Sequence, residues 1–158
     1  MNHSRRSPTA HDLRVWRDFV ETGDRIRSLL AARLQAESGL STGDYAVLLA
    51  LSEANGTRIR SSELAETIDW ERSRLSHHLG RMEARGLVDR QKCLTDNRGA
   101  EIVLTAEGAR LFRRASAAHL RAVQELFVDA MTPDLLDAVD GVTGALRAHL
   151  SGEATLRV

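Results

Sequence analysis

The segment from Ser61 to Gly86 constrains the fold more than any other. "SSELAETI" places Leu64, Ala65 and Ile68 on one side of a short helix, with Ser61 or Ser62 in position to cap it. "DWERSRLSHHLGRMEARG" follows at once, with Asp69 as the expected cap and Gly86 as the expected stop. Within this second helix Leu75, Leu79 and Met82 fall close together at 100° per residue. Two short helices joined by a few residues form a helix-turn-helix pattern.

The flanking segments extend that pattern. "LVDRQKCL" and "AEIVL" read as two extended segments around the polar turn "TDNRG", and "TRIR" reads as one further short strand. A first helix is predicted over Ala10 to Glu37, with Leu13, Trp16, Val20, Ile26, Leu30 and Leu34 at helical spacing and Gly39 as its stop. A second opens at Ser41 or Thr42 with Asp44 in its first turn, buries Val47, Leu48 and Leu51, and ends at Asn55-Gly56. Thr105 opens a helix expected to run to Met131, about 40 Å long at ~1.5 Å per residue. Thr132-Pro133-Asp134 restarts a helix that carries to near His149.

The expected fold is mainly α with a small β-wing: a winged helix-turn-helix plus a helical dimerisation domain. Residues 1–9 read as a tail, 10–40 and 105–150 as the dimerisation domain, 41–104 as the winged helix-turn-helix lobe, and 151–158 as a second tail. The terminal helices carry apolar stripes too long for the small middle lobe to cover. Such stripes are usually buried against another chain, so a two-fold homodimer is expected. The competing arrangement is a monomer whose terminal helices pack only on each other.

Composition removes several function classes. Lys+Arg and Asp+Glu number 22 each, so overall charge points to no partner and only its distribution carries information. The single cysteine, Cys93, cannot form a disulfide within the chain and reads as a structural thiol in a reducing cytoplasm. No apolar run approaches the roughly 18–20 residues needed to cross a bilayer, and no apolar segment follows the basic start "MNHSRRSPTAHD". A soluble cytoplasmic protein is therefore expected. His77 and His78 point about 100° apart and cannot act as i, i+4 metal ligands, while His3, His11, His119 and His149 are scattered. No metal site or other cofactor is expected. With no phosphate loop, serine elbow or zinc-protease pair, neither is an enzyme.

The charge distribution does single out one surface. From Arg72 to Met82 there is no acid, although the whole chain is balanced. Opposite Leu75 lie Ser73, His77, Gly80 and Arg81, flanked by Arg74 and Ser76. Arginine pairs bidentately with guanine O6 and N7, and serine and arginine suit phosphates. The segment Trp70 to Arg98 holds seven Lys and Arg against four acids. Arg98, at the hairpin tip, is placed to enter a minor groove, with Asp96 placed to hold its fork. His77 belongs to the groove-facing side, whereas His78 lies toward Leu75 and Leu79 and is expected to pack or bond within the lobe. Double-stranded DNA is thus the expected partner. The alternative is a winged-helix protein-interaction module without specific DNA binding.

In "SSELAETI", "ERSRLSHHLGRMEARGLVDR", "TDNRGAEIVLTAEGARL" and the helix after Thr132, the chain resembles the MarR (multiple antibiotic resistance regulator) family of bacterial transcription factors. The likeness runs from about Leu13 to Leu150. It implies an obligate homodimer whose two winged lobes straddle a pseudo-palindromic operator, with recognition helices about 34–36 Å apart. Carried onto this chain, it assigns base or phosphate contacts to Arg72, Ser73, Arg74, Ser76, His77 and Arg81. The wing pair is Asp96 and Arg98, and Ser61 and Ser62 start the phosphate-contacting helix. Arg60 stands where the family often has a threonine cap. The resemblance also implies a ligand-relieved repressor whose small aromatic or anionic effector binds between the dimer domain and the winged lobe. Trp16 and Tyr45 are the aromatic candidates for that pocket. Some members sense oxidants through a cysteine near the first helix, a position Cys93 does not match.

Overall fold

The computed structural model describes residues 7–92 and 100–155. The chain divides into two compact units, Met1–Leu120 and Arg121–Val158. In order, the elements are α1 (Ala10–Ser38), α2 (Thr42–Glu53), β1 (Arg58–Arg60), α3 (Ser61–Thr67), α4 (Arg72–Ala84), β2 (Val88–Lys92), β3 (Ala100–Leu104), α5 (Ala106–Leu126) and α6 (Pro133–Thr155). Single 3-10 turns lie at Asn55–Thr57 and Val128–Ala130. Among the described residues no helix is long and apolar enough to cross a membrane.

Reciprocal caps fix where α1 and α2 begin. Thr9 Oγ1 accepts from the Asp12 N–H and Asp12 Oδ2 accepts from the Thr9 N–H at 2.8 Å, a capping box just before the expected start. Ser41 and Asp44 repeat the arrangement at α2, with N–H to side-chain oxygen distances of 3.1 and 2.9 Å. Between them α1 ends at Gly39, whose φ of +68° is the left-handed cap that glycine adopts without a Cβ clash.

The first unit buries one continuous core. Leu48 and Leu51 of α2, Leu64 of α3, and Leu75, Leu79 and Met82 of α4 are fully buried together with Val88 and Ile102 of the sheet. Each such side chain stabilises the fold by about 1.5–3 kcal/mol as an upper bound. The sheet is antiparallel in the order β1-β3-β2, so β3 lies between its neighbours. Ile59 and Arg90 both register on Ile102. At the base of the hairpin, the Thr105 hydroxyl lies 2.7 Å from the Gly86 carbonyl and accepts from the Gly108 N–H at 2.9 Å. A Cβ on Gly108 would sit 2.1 Å from the Leu87 carbonyl oxygen, so only glycine allows α5 this close to the strand.

Four boundaries differ from the sequence expectation. At α3, Arg60 is the N-cap residue and makes no side-chain cap, so Ser61 and Ser62 are the first helical residues and neither caps. The reason is the sheet: pairing with Glu101 keeps Arg60 extended up to the helix start. At α4, Glu71 is the N-cap residue in place of Asp69. Asp69 adopts φ +53° and helps close the end of α3, its N–H donating to the Glu66 carbonyl at 3.2 Å. α5 stops at Leu126, about 32 Å long, where the following residues Phe127 and Val128 are aromatic and β-branched. α6 continues to Thr155, past both His149 and the expected tail boundary, because Gly152 costs a helix only about 1 kcal/mol and does not end it.

The second unit comprises the last turns of α5 and all of α6. Thr132 caps α6, its Oγ1 lying 3.4 Å from the Leu135 N–H, and Thr143 Oγ1 donates back to the helix carbonyls of Val139 and Asp140. Leu135, Val142, Leu146 and Leu150 of α6 are exposed.

Candidate nucleic-acid interface

Helix α4 has two chemically distinct sides. Leu75, Leu79 and Met82 are fully buried, and His78 is 8% exposed. Arg72, Ser73, Arg74, Ser76, His77, Gly80 and Arg81 are all exposed. The adjacent histidines therefore fall on opposite sides of the boundary, as their angular positions predict. Apolar burial of one face holds the arginine-serine face toward solvent.

A buried polar cluster anchors the inward side. Arg81 Nη2 donates to His78 Nδ1 at 2.9 Å, which places the His78 proton on Nε2. His78 Nε2 lies 2.9 Å from Asp44 Oδ1, although the N–H does not align with that oxygen as a hydrogen bond requires. The contact is therefore electrostatic. Arg85 donates through Nη1 to Asp44 Oδ2 at 2.8 Å and through Nη2 to the Gly39 carbonyl at 3.0 Å. Asp44 is 4% exposed, so it caps α2 and ties the far end of α4 to the α1–α2 junction at once. Burial pushes its pKa up, but the Arg85 and Ser41 hydrogen bonds outweigh that and hold it below the usual carboxylate value. Burial pushes the His78 pKa down, Asp44 opposes this, and the Arg81 and Arg74 charges reinforce it. The net shift is downward.

Arg90 is committed to structure. Its Nη2 donates to the Ser76 carbonyl at 2.6 Å and its backbone N–H donates to Glu83 Oε1 at 3.3 Å, which fastens β2 to α4. Arg72 lies 4.0 Å from Glu66, both well exposed, a pair of little energetic weight. Ser61 and Ser62 are half-buried in the first turn of α3. Asp96 and Arg98, the expected wing pair, lie outside the described residues, as does Cys93.

Two of the clefts beside these elements are lined in part by candidate residues. One, of about 350 Å³, is lined by the cap residue Ser41, Thr42 and Gly43 of α2, Trp70 of the α3–α4 turn, and Arg74, His77, His78 and Arg81 of α4. The Arg74 guanidinium carbon sits 4.0 Å from the Trp70 ring centroid. The other, of about 570 Å³, is lined by Asp24, Arg27, Ser28, Leu30, Ala31 and Leu34 of α1, Thr42 and Tyr45 of α2, and His119 of α5. Asp24 and Arg27 pair with each other. The Tyr45 ring packs against Phe112 and His119 at centroid distances of 5.4 and 4.9 Å, and its hydroxyl donates to Ser116 Oγ at 3.3 Å. His119 Nδ1 is buried with no hydrogen-bond partner among the described residues. Trp16 is not among the lining residues and is 63% exposed on α1. Among the described residues no group of three metal-ligating side chains converges.

Sequence periodicity does not single out Trp70, Asp44, Arg85 or His119. For Trp70 a usable signal exists: it is one of two tryptophans and stands four residues before Arg74. Asp44 and Arg85 are 41 residues apart, and no local pattern links them.

Comparison with known proteins places this geometry. A family model described as MarR family matches residues 38–99. AbsC, a MarR family transcriptional regulator from Streptomyces coelicolor, is 35% identical, with 93% of this chain and 99% of that chain covered and a TM-score of 0.84. Sco3205, a MarR family transcriptional regulator from the same organism solved in complex with DNA, is 33% identical, with coverage of 94% and 93% and a TM-score of 0.86. The PcaV transcriptional regulator from Streptomyces coelicolor, solved with its natural ligand, shares the fold at 23% identity, with coverage of 80% and 89% and a TM-score of 0.67. No curated protein sequence matches the chain.

Proposed function

The chain belongs to the MarR family of transcriptional regulators, and on that premise we propose that it binds duplex DNA as a homodimer and represses transcription until a small effector releases it. The observation that carries the reading is the acid-free exposed face of α4, from Arg72 to Arg81, held outward by the buried Leu75, Leu79 and Met82. Arg74 and Arg81 offer planar forks for guanine edges, while Ser73, Ser76, His77 and Arg72 suit bases or phosphates. Ser61 and Ser62 contact phosphate, and the wing residues Asp96 and Arg98 are assigned to the minor groove. The DNA complex of Sco3205, one third identical over nearly the whole chain, supports this assignment.

The exposed apolar residues of α1 (Leu13, Val15, Trp16 and Phe19) and of α6 (Leu135, Val142, Leu146 and Leu150) supply the dimer surface. Dimerisation lets the two lobes meet successive major grooves of a pseudo-palindromic operator. The effector is a small aromatic or anionic molecule, and the cleft beside Tyr45 and His119 is its seat. A ligand that binds the mis-spaced state better than the DNA-bound state shifts the population off DNA.

Selection of bound fragments from a randomised duplex pool with the purified full chain tests the reading. An enriched pseudo-palindrome is expected, with affinity falling steeply as salt rises. Arg81→Ala should cost about 1–3 kcal/mol on the enriched duplex if it reads a base, and the same on every duplex if it contacts phosphate. Failure to enrich any duplex would sink the proposal.

A further inference from the structure

We propose that Trp70 is a positioning residue for sequence readout: its indole sets the Arg74 guanidinium in place for a base edge before DNA arrives. The inference rests on the reading of α4 as the DNA-binding helix and adds to it a residue outside that helix's exposed face. Helical side chains lean toward the N-terminus, so Arg74 reaches back over the residue one turn earlier. There its guanidinium carbon lies 4.0 Å from the Trp70 ring centroid, well inside cation–π range. Stacking leaves the in-plane N–H groups of the fork available for an acceptor. No carboxylate among the described residues pairs with Arg74.

The ring itself is fixed on several sides. The Trp70 backbone N–H donates to the Ala65 carbonyl at 2.9 Å. The indole meets the His78 ring edge-on, with centroids 5.1 Å apart at 88°. His78 is held in turn by Arg81 and Asp44. On the α2 side a Cβ at Gly43 would come within 2.8 Å of Trp70 Cη2 and 3.0 Å of His78 Cε1, so the backbone closes directly on both rings. Arg74 therefore stacks on a platform whose own freedom is already removed. An unrestrained arginine must order a long side chain on binding, whereas this one is ordered beforehand. That advantage applies to a contact with one required geometry, a bidentate base edge, more than to a phosphate that tolerates many.

A double-mutant cycle on the full-length protein tests it. Wild type, Trp70→Ala, Trp70→Phe, Arg74→Ala and the Trp70→Ala/Arg74→Ala double variant are titrated against the duplex that wild type enriches and against a scrambled duplex of equal length and composition. Trp70→Ala should weaken the enriched duplex by roughly threefold to tenfold and the scrambled one by much less. Trp70→Phe, which keeps an aromatic face, should recover most of the loss. In the Arg74→Ala background Trp70→Ala should cost nothing further. Independent losses that add, equal losses on both duplexes, or a Trp70→Phe variant as weak as Trp70→Ala overturn the inference while leaving the DNA reading intact. A wild-type protein that enriches no duplex overturns both.

Discussion

At the scale of single residues, His78 and Asp44 share one buried cluster and both have lowered pKa values. The folded His78 pKa lies below its ordinary 6.5. As pH falls past about 6.5, the unfolded chain takes up a proton that the folded chain refuses, so stability drops toward the folded pKa. Above that window the contribution is fully present. Asp44 acts lower on the scale. Its pKa is held below 3.8, so the stability it contributes is present above that value and is lost as pH falls through the folded pKa. The midpoint of denaturant unfolding should therefore fall between pH 7 and pH 5, and His78→Gln should shrink that fall. A variant with the same pH slope as wild type would remove His78 from the account. The inward position of His78 was legible from its angle to Leu75 and Leu79. Its partner Asp44 was legible only as a first-turn acid of α2, because the contact spans sequence that no periodicity connects.

At the scale of elements, the apolar stripes of α2, α3 and α4 predicted the right helices, and the β-branched run Ala100–Leu104 predicted a strand. Helix starts were less legible where another element competed for the same backbone. Strand pairing held Arg60 extended, and closure of α3 occupied Asp69, so neither α3 nor α4 has a side-chain cap. Packing of α5 onto the hairpin base makes a sharper demand. Gly108→Ala would drive a methyl to within 2.1 Å of the Leu87 carbonyl oxygen, a clash with backbone that no rotamer change relieves. Overpacking of this kind typically costs about 1–3 kcal/mol, and thermal unfolding of the variant should register it. An unchanged melting temperature would mean that α5 can shift away from Leu87 freely.

At the scale of the whole molecule, exposed apolar side chains remain on α1 and α6 after each unit has formed its own structure. Sedimentation at micromolar concentration should give a species of twice the mass of one chain. Leu146→Asp should shift it toward the monomer and weaken DNA binding with it. A wild-type monomer at that concentration would refute the dimer.

The sequence by itself determined the helix-turn-helix, the hairpin and the split of α4 into an apolar and an arginine-serine face. These follow from local periodicity and from a gap in acidic residues, both of which survive without knowledge of any distant contact. Only the tertiary structure decided what anchors that face. The Asp44 cluster, the stacking of Arg74 on Trp70 against Gly43, and the unpartnered His119 nitrogen beside Tyr45 join separate elements. Their geometry is set by how helices close on one another, and a one-dimensional pattern does not encode that closure.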